Sequence, residues 1–376
     1  MPRLWPIAKK EFLHLFRDPR SLALMAILPV FLLILYGYAA SFDVKNIPLA
    51  VLDQDNTRTS REYIDKFAHN GYFKLVENLS SSSQFADRLD SGRVKMILHL
   101  PPGFSQKIAN GKKAEIQVLV DGSDPTWASS ALAYLNVISQ EYQQGLIKAA
   151  LVRKGIRQFP RSPIELIPRI WYNETLRSIN FYIPGLIAVI LMQISATLTS
   201  MTIVSEKEQG TMEALVVSPV KKNELMLGKI LPYIIIAFID VMLITALGVF
   251  WFQVPFRGSL LVLMVSSLIF LAGAMGLGVF FSANAKSSQE AMQLATLATM
   301  LPSILLSGLV FPIENMPLVL QGLSLIVPAR YFLDILRGIF LKGVGFSALW
   351  QDFVLMSILS LLFIIISVRR FNKRIE

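Results

Sequence analysis

The residues best suited to chemistry are three acids in one short polar stretch, Glu206, Glu208 and Glu213. Three carboxylates so close together could bind a divalent cation or form ion pairs. Lys207 lies among them, and no His or Cys is nearby to complete a ligand set. The pattern therefore argues against a metal site or a catalytic centre, and leaves charge pairing with another protein or a solvated turn beside lipid.

The rest of the chain offers no alternative catalytic group. It has no Cys, and its three His are far apart in the sequence, which excludes a disulfide framework and argues against a histidine metal site. No G-x-x-x-x-G-K-[ST] phosphate loop occurs, so this chain should not hydrolyse ATP. No basic stripe with interleaved aromatic residues predicts nucleic-acid binding. We therefore expect neither an enzyme nor a cofactor in this chain.

Long apolar runs must position the acidic stretch. Apolar residues make up 53% of the chain and charged residues only 16%, whereas soluble domains are closer to a quarter charged. Runs of about 20 apolar residues match the length that a helix needs to cross a bilayer. We predict six membrane-spanning helices, and an uncleaved first one because its run is longer than a signal peptide core. The predicted spans are 21–40, 181–204, 230–252, 259–282, 291–311 and 348–367.

The charge distribution predicts the orientation of these spans. The net charge is +10, and residues 1–20 carry five Lys or Arg against two acids. The tail 369–376 is also basic, with four Lys or Arg against one acid. Basic flanks favour the cytoplasmic side. Both termini and the loop 205–229 should therefore be cytoplasmic.

Residues 41–178 have a different pattern and predict an extracytoplasmic α/β domain inserted between the first and second spans. Short apolar runs alternate with amphipathic segments bounded by turn residues. The predicted strands are 47–52, 94–100 and 115–120, and the predicted helices are 58–69, 83–90, 104–109 and 128–153. The Pro-rich stretch 158–168 should connect the domain back to the membrane.

Two segments outside the spans are amphipathic or broken. Residues 3–18 predict an interfacial helix, either in the headgroup layer and touching a partner or as a basic flank that only orients the first span. Its predicted apolar face holds Trp5, Ala8, Phe12, Leu15 and Phe16, with Lys9 and Lys10 off that face. The segment 312–345 contains three helix-breaking prolines, so we predict re-entrant or interfacial helices outside the membrane core.

Polar residues recur at helical spacing inside two spans. They could line a transport path or form hydrogen bonds between helices, and both roles could coincide at a dimer interface. Asp240 is an acid well inside the third span, where it could bind a proton or cation or pair with a polar neighbour. The candidates in the second and fifth spans are Gln193, Thr197, Ser200, Gln293, Thr296, Ser303 and Ser307. In the fourth span, Ala272 with Gly276 and Ala274 with Gly278 predict close helix packing.

The loop that carries the acids has the pattern of a structured element. Gly210 and Thr211 predict a helix break followed by an N-cap, and Pro219 ends the next turn. Leu215 is apolar on a polar loop and needs cover from lipid or from a partner protein. The candidate contact residues are Glu206, Glu208, Gly210, Thr211, Glu213, Leu215, Ser218 and Pro219.

This loop resembles the signature of type-2 ABC exporter permeases. The pattern E-x-G-T-x-E-x-L-x-x-S-P spans residues 208–219. Similar segments occur at Lys10-Glu11-Phe12, at Arg17-Asp18-Pro19-Arg20, in 301–312 and at 327–331. The resemblance covers essentially the whole chain. The large insertion after the first span resembles the long-loop branch, which includes multidrug permeases of Gram-negative inner membranes.

The resemblance implies a permease subunit of an exporter in the bacterial inner membrane. It implies a second permease copy or paralogue as partner, and separate nucleotide-binding subunits that hold ATP and Mg. In such a protein the loop 206–219 and the helix 3–18 would transmit ATPase closure to the spans. The substrate would be hydrophobic or amphipathic, and the outer domain could dock a periplasmic adaptor and an outer-membrane channel. A lipid or glycan-precursor exporter and a non-transporting mechanical or signalling relay are the alternatives.

Overall fold

A computed structural model describes residues 4–17, 19–40, 46–153, 171–174, 177–210 and 222–370. The chain divides into two compact units. One comprises Met1–Ser41 together with Arg169–Glu376, and the other comprises Phe42–Pro168. The first unit is helical in its described part, and the second combines strands and helices.

The α/β unit is built on a four-stranded sheet in the order β2-β1-β3-β4. Strand β1 runs parallel to β2 and to β3, whereas β4 is antiparallel to β3. The strands are β1 (Ile47–Asp53), β2 (Phe73–Asn78), β3 (Met96–Leu100) and β4 (Gln117–Val120). The helices are α3 (Arg58–Ala68), α4 (Phe85–Asp90), α5 (Phe104–Ala109) and α6 (Pro125–Arg153).

The period of two along β1 explains why both faces of this sheet are covered. Ile47, Leu49 and Val51 belong to one apolar cluster with residues of α3, α5 and α6. Ala50 and Leu52 belong to a second cluster with residues of α4. Successive side chains of a strand point to opposite faces, so an almost uninterrupted apolar strand requires cover on both sides.

The structure corrects the predicted strand list. Strand β2 was not among the predicted strands, because Phe73–Asn78 mixes apolar residues with Lys74 and Glu77. It is an edge strand, and only its alternate residues are covered. The predicted strands at 94–100 and 115–120 begin two residues later than expected, at Met96 and Gln117.

The helical unit contains the long apolar segments. After α1 (Leu4–Arg17) and α2 (Pro19–Ala39), its helices are α7 (Ser178–Glu208), α8 (Lys222–Phe250), α9 (Leu260–Asn284), α10 (Ser288–Leu306), α11 (Leu318–Ser324), α12 (Pro328–Arg337) and α13 (Phe346–Arg370). A π-helical turn, Gly338–Lys342, extends α12. Within this unit α7 packs against α2, α8, α9, α10 and α12.

Four of the helices in the described ranges are long and apolar enough to cross a membrane. They are Ser178–Glu206, Leu227–Phe250, Leu260–Asn284 and Phe346–Arg370. The pair Leu318–Ser324 and Pro328–Lys342, bent by 81°, could be counted as a fifth span or as a re-entrant loop. Met25–Ala39 in α2 is a shorter apolar segment. The chain therefore has the architecture of a polytopic membrane protein, and the count of six spans stays a prediction.

Small residues on α9 allow close approach to two neighbouring helices. A Cβ atom on Gly273 would lie 2.9 Å from the Cα of Ser360 on α13. A Cβ atom on Gly276 would lie 3.1 Å from the backbone nitrogen of Ile364. At Gly278 it would collide with Thr199 and with the Ala196 carbonyl of α7. These glycines therefore set the distance of α9 from α7 and α13.

Candidate functional site

A buried cluster of charged side chains joins α1, α7 and α8. The Lys229 Nζ atom donates to Glu11 Oε1 at 3.0 Å, to Glu206 Oε1 at 2.9 Å and to the Thr202 carbonyl at 3.2 Å. Lys10 Nζ lies 3.3 Å from the same Glu206 oxygen. The cluster thus links helices whose charged residues lie up to 218 positions apart in the sequence.

The burial of this cluster makes its charge balance important. Lys229 is 4% exposed, Glu11 7% and Glu206 8%. Together with Lys10, the two acids and two bases give no net charge. A buried charge is costly unless it is paired and hydrogen-bonded. Lys229 therefore holds both acids in place, and with them the three helices.

The position of Glu11 corrects the predicted face of the N-terminal helix. Ala8, Glu11 and Leu15 are buried, at steps of three and four residues. Trp5 is 64% exposed and Phe16 is 65% exposed, so they do not share the inward face of Ala8 and Leu15 as predicted. The charged Glu11 belongs to the inward face because Lys229 meets it there.

The C-terminal end of α7 also contacts α10. Gly210 follows this end with φ of 70°, a left-handed conformation that favours glycine. The Glu208 carboxylate accepts hydrogen bonds from the backbone N–H and the hydroxyl of Ser288, in the first turn of α10. These bonds lower the pKa of Glu208, and an anion at a helix N-terminus is stabilised by the helix dipole.

A serine on α9 ties the same part of α7 to a further helix. The Ser282 hydroxyl oxygen accepts hydrogen bonds from the backbone N–H groups of Ile203 and Val204, at 3.1 and 3.2 Å. Along this turn the Thr202 hydroxyl donates to the Thr199 carbonyl at 2.8 Å. The last turns of α7 are therefore fixed by contacts to α1, α8, α9 and α10.

An apolar cleft with a few polar groups lies between α7 and α10. Its volume is about 520 Å³, and the Thr197 and Thr296 hydroxyls meet across it at 3.1 Å. Four of the predicted polar candidates line it. The lining residues are Leu28, Gln193, Ile194, Thr197, Leu198, Met292, Gln293, Thr296 and Leu297.

Three other predicted candidates do not line this cleft. The Ser200 hydroxyl donates to the Thr197 carbonyl at 2.7 Å. Ser303 and Ser307 are buried within the helical packing, and their hydroxyls have no hydrogen-bond partner among the described residues. The buried row of α10, which includes Ala295, Thr299 and Ser303, lies beside the row of Gln293 and Thr296. A helical spacing of three and four residues could not separate these two adjacent rows.

Asp240 is buried in the middle of α8. It is 2% exposed, and none of the hydrogen bonds or ion pairs within the described ranges involves its carboxylate. The structure therefore does not bring Asp240 into the ion cluster or into the cleft between α7 and α10.

Part of the predicted loop lies outside the described residues, namely Thr211, Glu213, Leu215, Ser218 and Pro219. Of the loop candidates, the structure shows Glu206, Glu208 and Gly210. Sequence reasoning did not select Glu11 or Lys229 as site residues. The signal that could have found them is a pair of opposite charges beside the membrane. Lys229 comes just before a predicted span, and Glu11 lies in the predicted N-terminal helix.

The described residues contain no group of three or more His, Cys, Asp or Glu side chains that could hold a metal ion. The acids near the end of α7 instead contact a lysine and a helix N-terminus. This arrangement can hold helices together and transmit force between them.

Comparisons with known proteins support a transport function. The ABC-2 family transporter protein family matches residues 19–369. The probable multidrug ABC transporter permease YbhR of Escherichia coli is 34% identical over 351 residues, which cover 93% of each chain. The related YbhS is 30% identical over 342 residues, covering 91% of this chain and 89% of YbhS. The E. coli inner membrane transport permease YhhJ is 27% identical over 335 residues, covering 87% of this chain and 86% of YhhJ.

The family match covers most of the chain, and two relatives reach at least 30% identity over nine tenths of it. Together with the apolar helices, these findings confirm the resemblance found in the loop signature. The chain is therefore a multi-pass membrane permease that belongs to the ABC-2 transporter family.

Proposed function

We propose that this chain is the membrane subunit of an ATP-driven exporter of hydrophobic or amphipathic, drug-like compounds. ATP and Mg bind to separate nucleotide-binding subunits, and this chain has no ATPase activity. The observation that carries the proposal is the buried cluster of Glu11, Glu206 and Lys229, which joins α1 to α7 and α8 where the signature loop begins. The names of the relatives YbhR and YbhS support an exporter of this kind.

The proposed topology has six spans, formed by α2, α7, α8, α9, α10 and α13. Helices α2 and α10 have 21 and 19 residues, close to the length that a bilayer requires. The bent pair of α11 and α12 is re-entrant on the outer side. Both termini and the loop 205–229 are cytoplasmic in this topology, and the α/β unit is extracytoplasmic. The chain then resides in the bacterial inner membrane.

The ion cluster gives a mechanical reason for the coupling role of the 206–219 loop. A displacement of this loop or of α1 would pull on Glu206, and breaking the bond to Lys229 would leave a buried charge unpaired. The cheaper response is for α7 and α8 to move with α1. The exposed side chains of Trp5, Lys9, Lys10 and Phe16 leave the other face of α1 available to lipid headgroups and to the ATPase subunit.

Helix α7 connects this cluster to the polar cleft. Thr197 lies nine residues before Glu206, about 14 Å along the helix axis. Glu208 extends the connection to α10 through Ser288. Both helices that carry the polar cleft residues are therefore held at the end where the loop begins, so movement of the loop would change the distance between them.

The cleft is suited to a hydrophobic compound with few hydrogen-bonding groups. Apolar side chains form most of its lining, and Gln193, Thr197, Gln293 and Thr296 supply the amide and hydroxyl groups. Sites for drug-like compounds commonly combine an apolar lining with a few polar groups. In the proposed assembly a second copy or a paralogue completes the path across this cleft. Docking of a periplasmic adaptor and an outer-membrane channel is proposed on the resemblance alone.

Reconstitution tests the transport function directly. The purified chain is combined with its ATPase subunits in proteoliposomes, and movement of a fluorescent amphipathic dye is measured with and without ATP. We expect ATP-dependent movement that stops when the ATPase is inactivated. ATP hydrolysis without movement of the dye or of fluorescent lipid would instead favour a mechanical relay, and movement of lipid alone would favour a lipid exporter.

Two loop variants test the coupling role. Gly210→Pro cannot adopt the positive φ of this position, and Glu213→Arg reverses a charge that would face the ATPase. We expect both to abolish export while the protein remains in the membrane. Gly210→Ala and Glu213→Gln are the matched controls, and both should retain part of the export. Wild-type export by Gly210→Pro and Glu213→Arg would disprove the coupling role.

A further inference from the structure

A second cleft lies at the C-terminal end of α13, between this helix and α8 and α9. Its volume is about 280 Å³. Most of its lining is aliphatic, and one basic side chain lies at its end. The lining residues are Leu227, Ile230, Gly276, Ile364, Ile365, Ser367, Val368 and Arg369.

The Ser367 hydroxyl in the lining of this cleft is already hydrogen-bonded within the protein. The Ser367 hydroxyl donates to the Gly276 carbonyl and to the Phe363 carbonyl. Because Gly276 has no side chain, α13 can approach α9 closely here, and the cleft lies where both helices meet Leu227 and Ile230 of α8. An occupant would therefore meet methyl and methylene groups along the cleft and would need no hydrogen-bonding groups there.

The end of the cleft is different, because it is positively charged. Arg369 and Arg370 are exposed in the last turn of α13. The ion pairs formed within the described ranges do not include either guanidinium. Of these two arginines only Arg369 lines the cleft. A ligand complementary to this site has an aliphatic chain and a negatively charged head.

We propose that this cleft binds an anionic phospholipid. One acyl chain lies against Leu227, Ile230 and Ile365, and the phosphate pairs with Arg369. Arg369 is four residues beyond Ile365, about 6 Å along the helix axis. This distance places a headgroup at the guanidinium and the start of an acyl chain at Ile365. Basic groups at the end of a membrane-spanning helix attract anionic headgroups in this way.

The bound lipid would contact the same turn of α8 that carries the ion cluster. Leu227 and Ile230 flank Lys229 in the sequence and line the cleft, whereas Lys229 itself binds Glu11 and Glu206. The lipid would therefore help to fix α8 beside α13. This inference requires only that the chain spans a membrane and does not depend on ATP coupling or on the transported compound.

Lipid exchange on the purified full-length chain tests the proposal. The protein is placed in detergent micelles that contain equal amounts of phosphatidylglycerol and phosphatidylcholine, and bound lipid is counted by native mass spectrometry. We expect retention of phosphatidylglycerol over phosphatidylcholine, and a higher melting temperature when phosphatidylglycerol is present. Equal retention of the two lipids would overturn the proposal.

Paired variants locate the site. Arg369→Gln should lower the preference for phosphatidylglycerol about fivefold, the effect of one basic group near a membrane surface. Arg370→Gln removes the same charge one position away from the cleft lining and should have a smaller effect. Ile365→Trp fills the cleft and should remove the retained lipid without changing the charge. Equal losses in both arginine variants, or retained lipid in Ile365→Trp, would show attraction to the basic helix end only and would overturn the site.

Discussion

The two units of this protein use charged side chains in different ways. In the α/β unit, the described ion pairs join residues at most 26 positions apart, and each has a partly exposed member. In the helical unit, Lys229 pairs with Glu206, 23 positions away, and with Glu11, 218 positions away. All three side chains are buried. Surface pairs usually contribute little to stability, whereas a buried pair is expensive to break.

This difference follows from what holds each unit together. The α/β unit has an apolar core on both sides of its sheet, formed by residues such as Phe67 and Ile97. The ion pairs of this unit lie at its surface, outside that core. In the helical unit, many outward side chains are apolar. Only 22% of the membrane-length apolar stretch of α13 is buried inside the protein. Helix association in lipid depends on close packing and on hydrogen bonds between helices. The buried charged cluster therefore adds to the glycine contacts of α9 in specifying which helices meet.

The largest effect is expected from breaking the buried cluster. Lys229→Ala leaves Glu11 and Glu206 without their shared cation, so we expect a loss of about 3–5 kcal/mol in the free energy of unfolding. Thermal unfolding of the purified protein measures it. Lys10→Ala is the matched control, because the Lys10 side chain is 60% exposed, and it should cost at most about 1 kcal/mol.

A double substitution sharpens this result. Lys229→Met combined with Glu11→Met removes one charge of each sign and leaves the pair of Lys10 and Glu206. We expect it to be more stable than Lys229→Ala, because replacing a buried pair by apolar groups is often neutral. Equal stability of Lys229→Ala and Lys10→Ala would contradict the role of the cluster.

A smaller loss of stability is expected in the α/β unit when the N-cap of α3 is removed. Thr57 is its N-cap, and its hydroxyl accepts a hydrogen bond from the Ser60 N–H. Thr57→Ala should destabilise this unit by about 1 kcal/mol, measured as faster hydrogen exchange in α3. Thr59→Ala, two residues further along the same helix, should not do so. Similar exchange in both variants would argue against the capping role.

A pH dependence should arise at the edge of the same unit. Hydrogen bonds from Lys95 and Ser123 hold the pKa of Asp121 well below its usual range. A lowered pKa in the folded state stabilises the protein above the unfolded pKa of about 3.9 and loses this contribution as the pH falls further. Asp121→Asn should reduce the loss of stability between neutral pH and about pH 3. An unchanged acid-unfolding curve would contradict this prediction.

The smallest effect is expected at a surface pair on α3. Arg58 Nε lies 2.8 Å from Glu62 Oε1 in an (i, i+4) arrangement, and the Arg58 side chain is 92% exposed. Arg58→Ala should cost about 0.3–0.5 kcal/mol, and less at high salt. Chemical unfolding at two salt concentrations measures this difference. A loss as large as that of Lys229→Ala would remove the contrast between the two units.

Much of the fold was predictable because local patterns define it. The four membrane-length helices coincide with predicted apolar runs, and a left-handed glycine follows α7 at the predicted break. The missing element was β2, whose mixed composition becomes a strand only because β1 offers it a parallel partner. Of the site, the sequence predicted Glu206 as a contact residue, but it did not select Glu11 and Lys229, which meet Glu206 only in the folded chain. The role of the loop 211–219 stays a prediction.

The sequence by itself determined the membrane class, the α/β insertion pattern and, through one loop, the transporter family. Each of these depends on residues close together in the chain. Only the tertiary structure decided that Glu11 turns inward to meet Lys229, and that Gln293 and Thr296 reach a cleft while Ser303 does not. Such outcomes depend on which helix faces pack together, and helical spacing alone leaves that choice open.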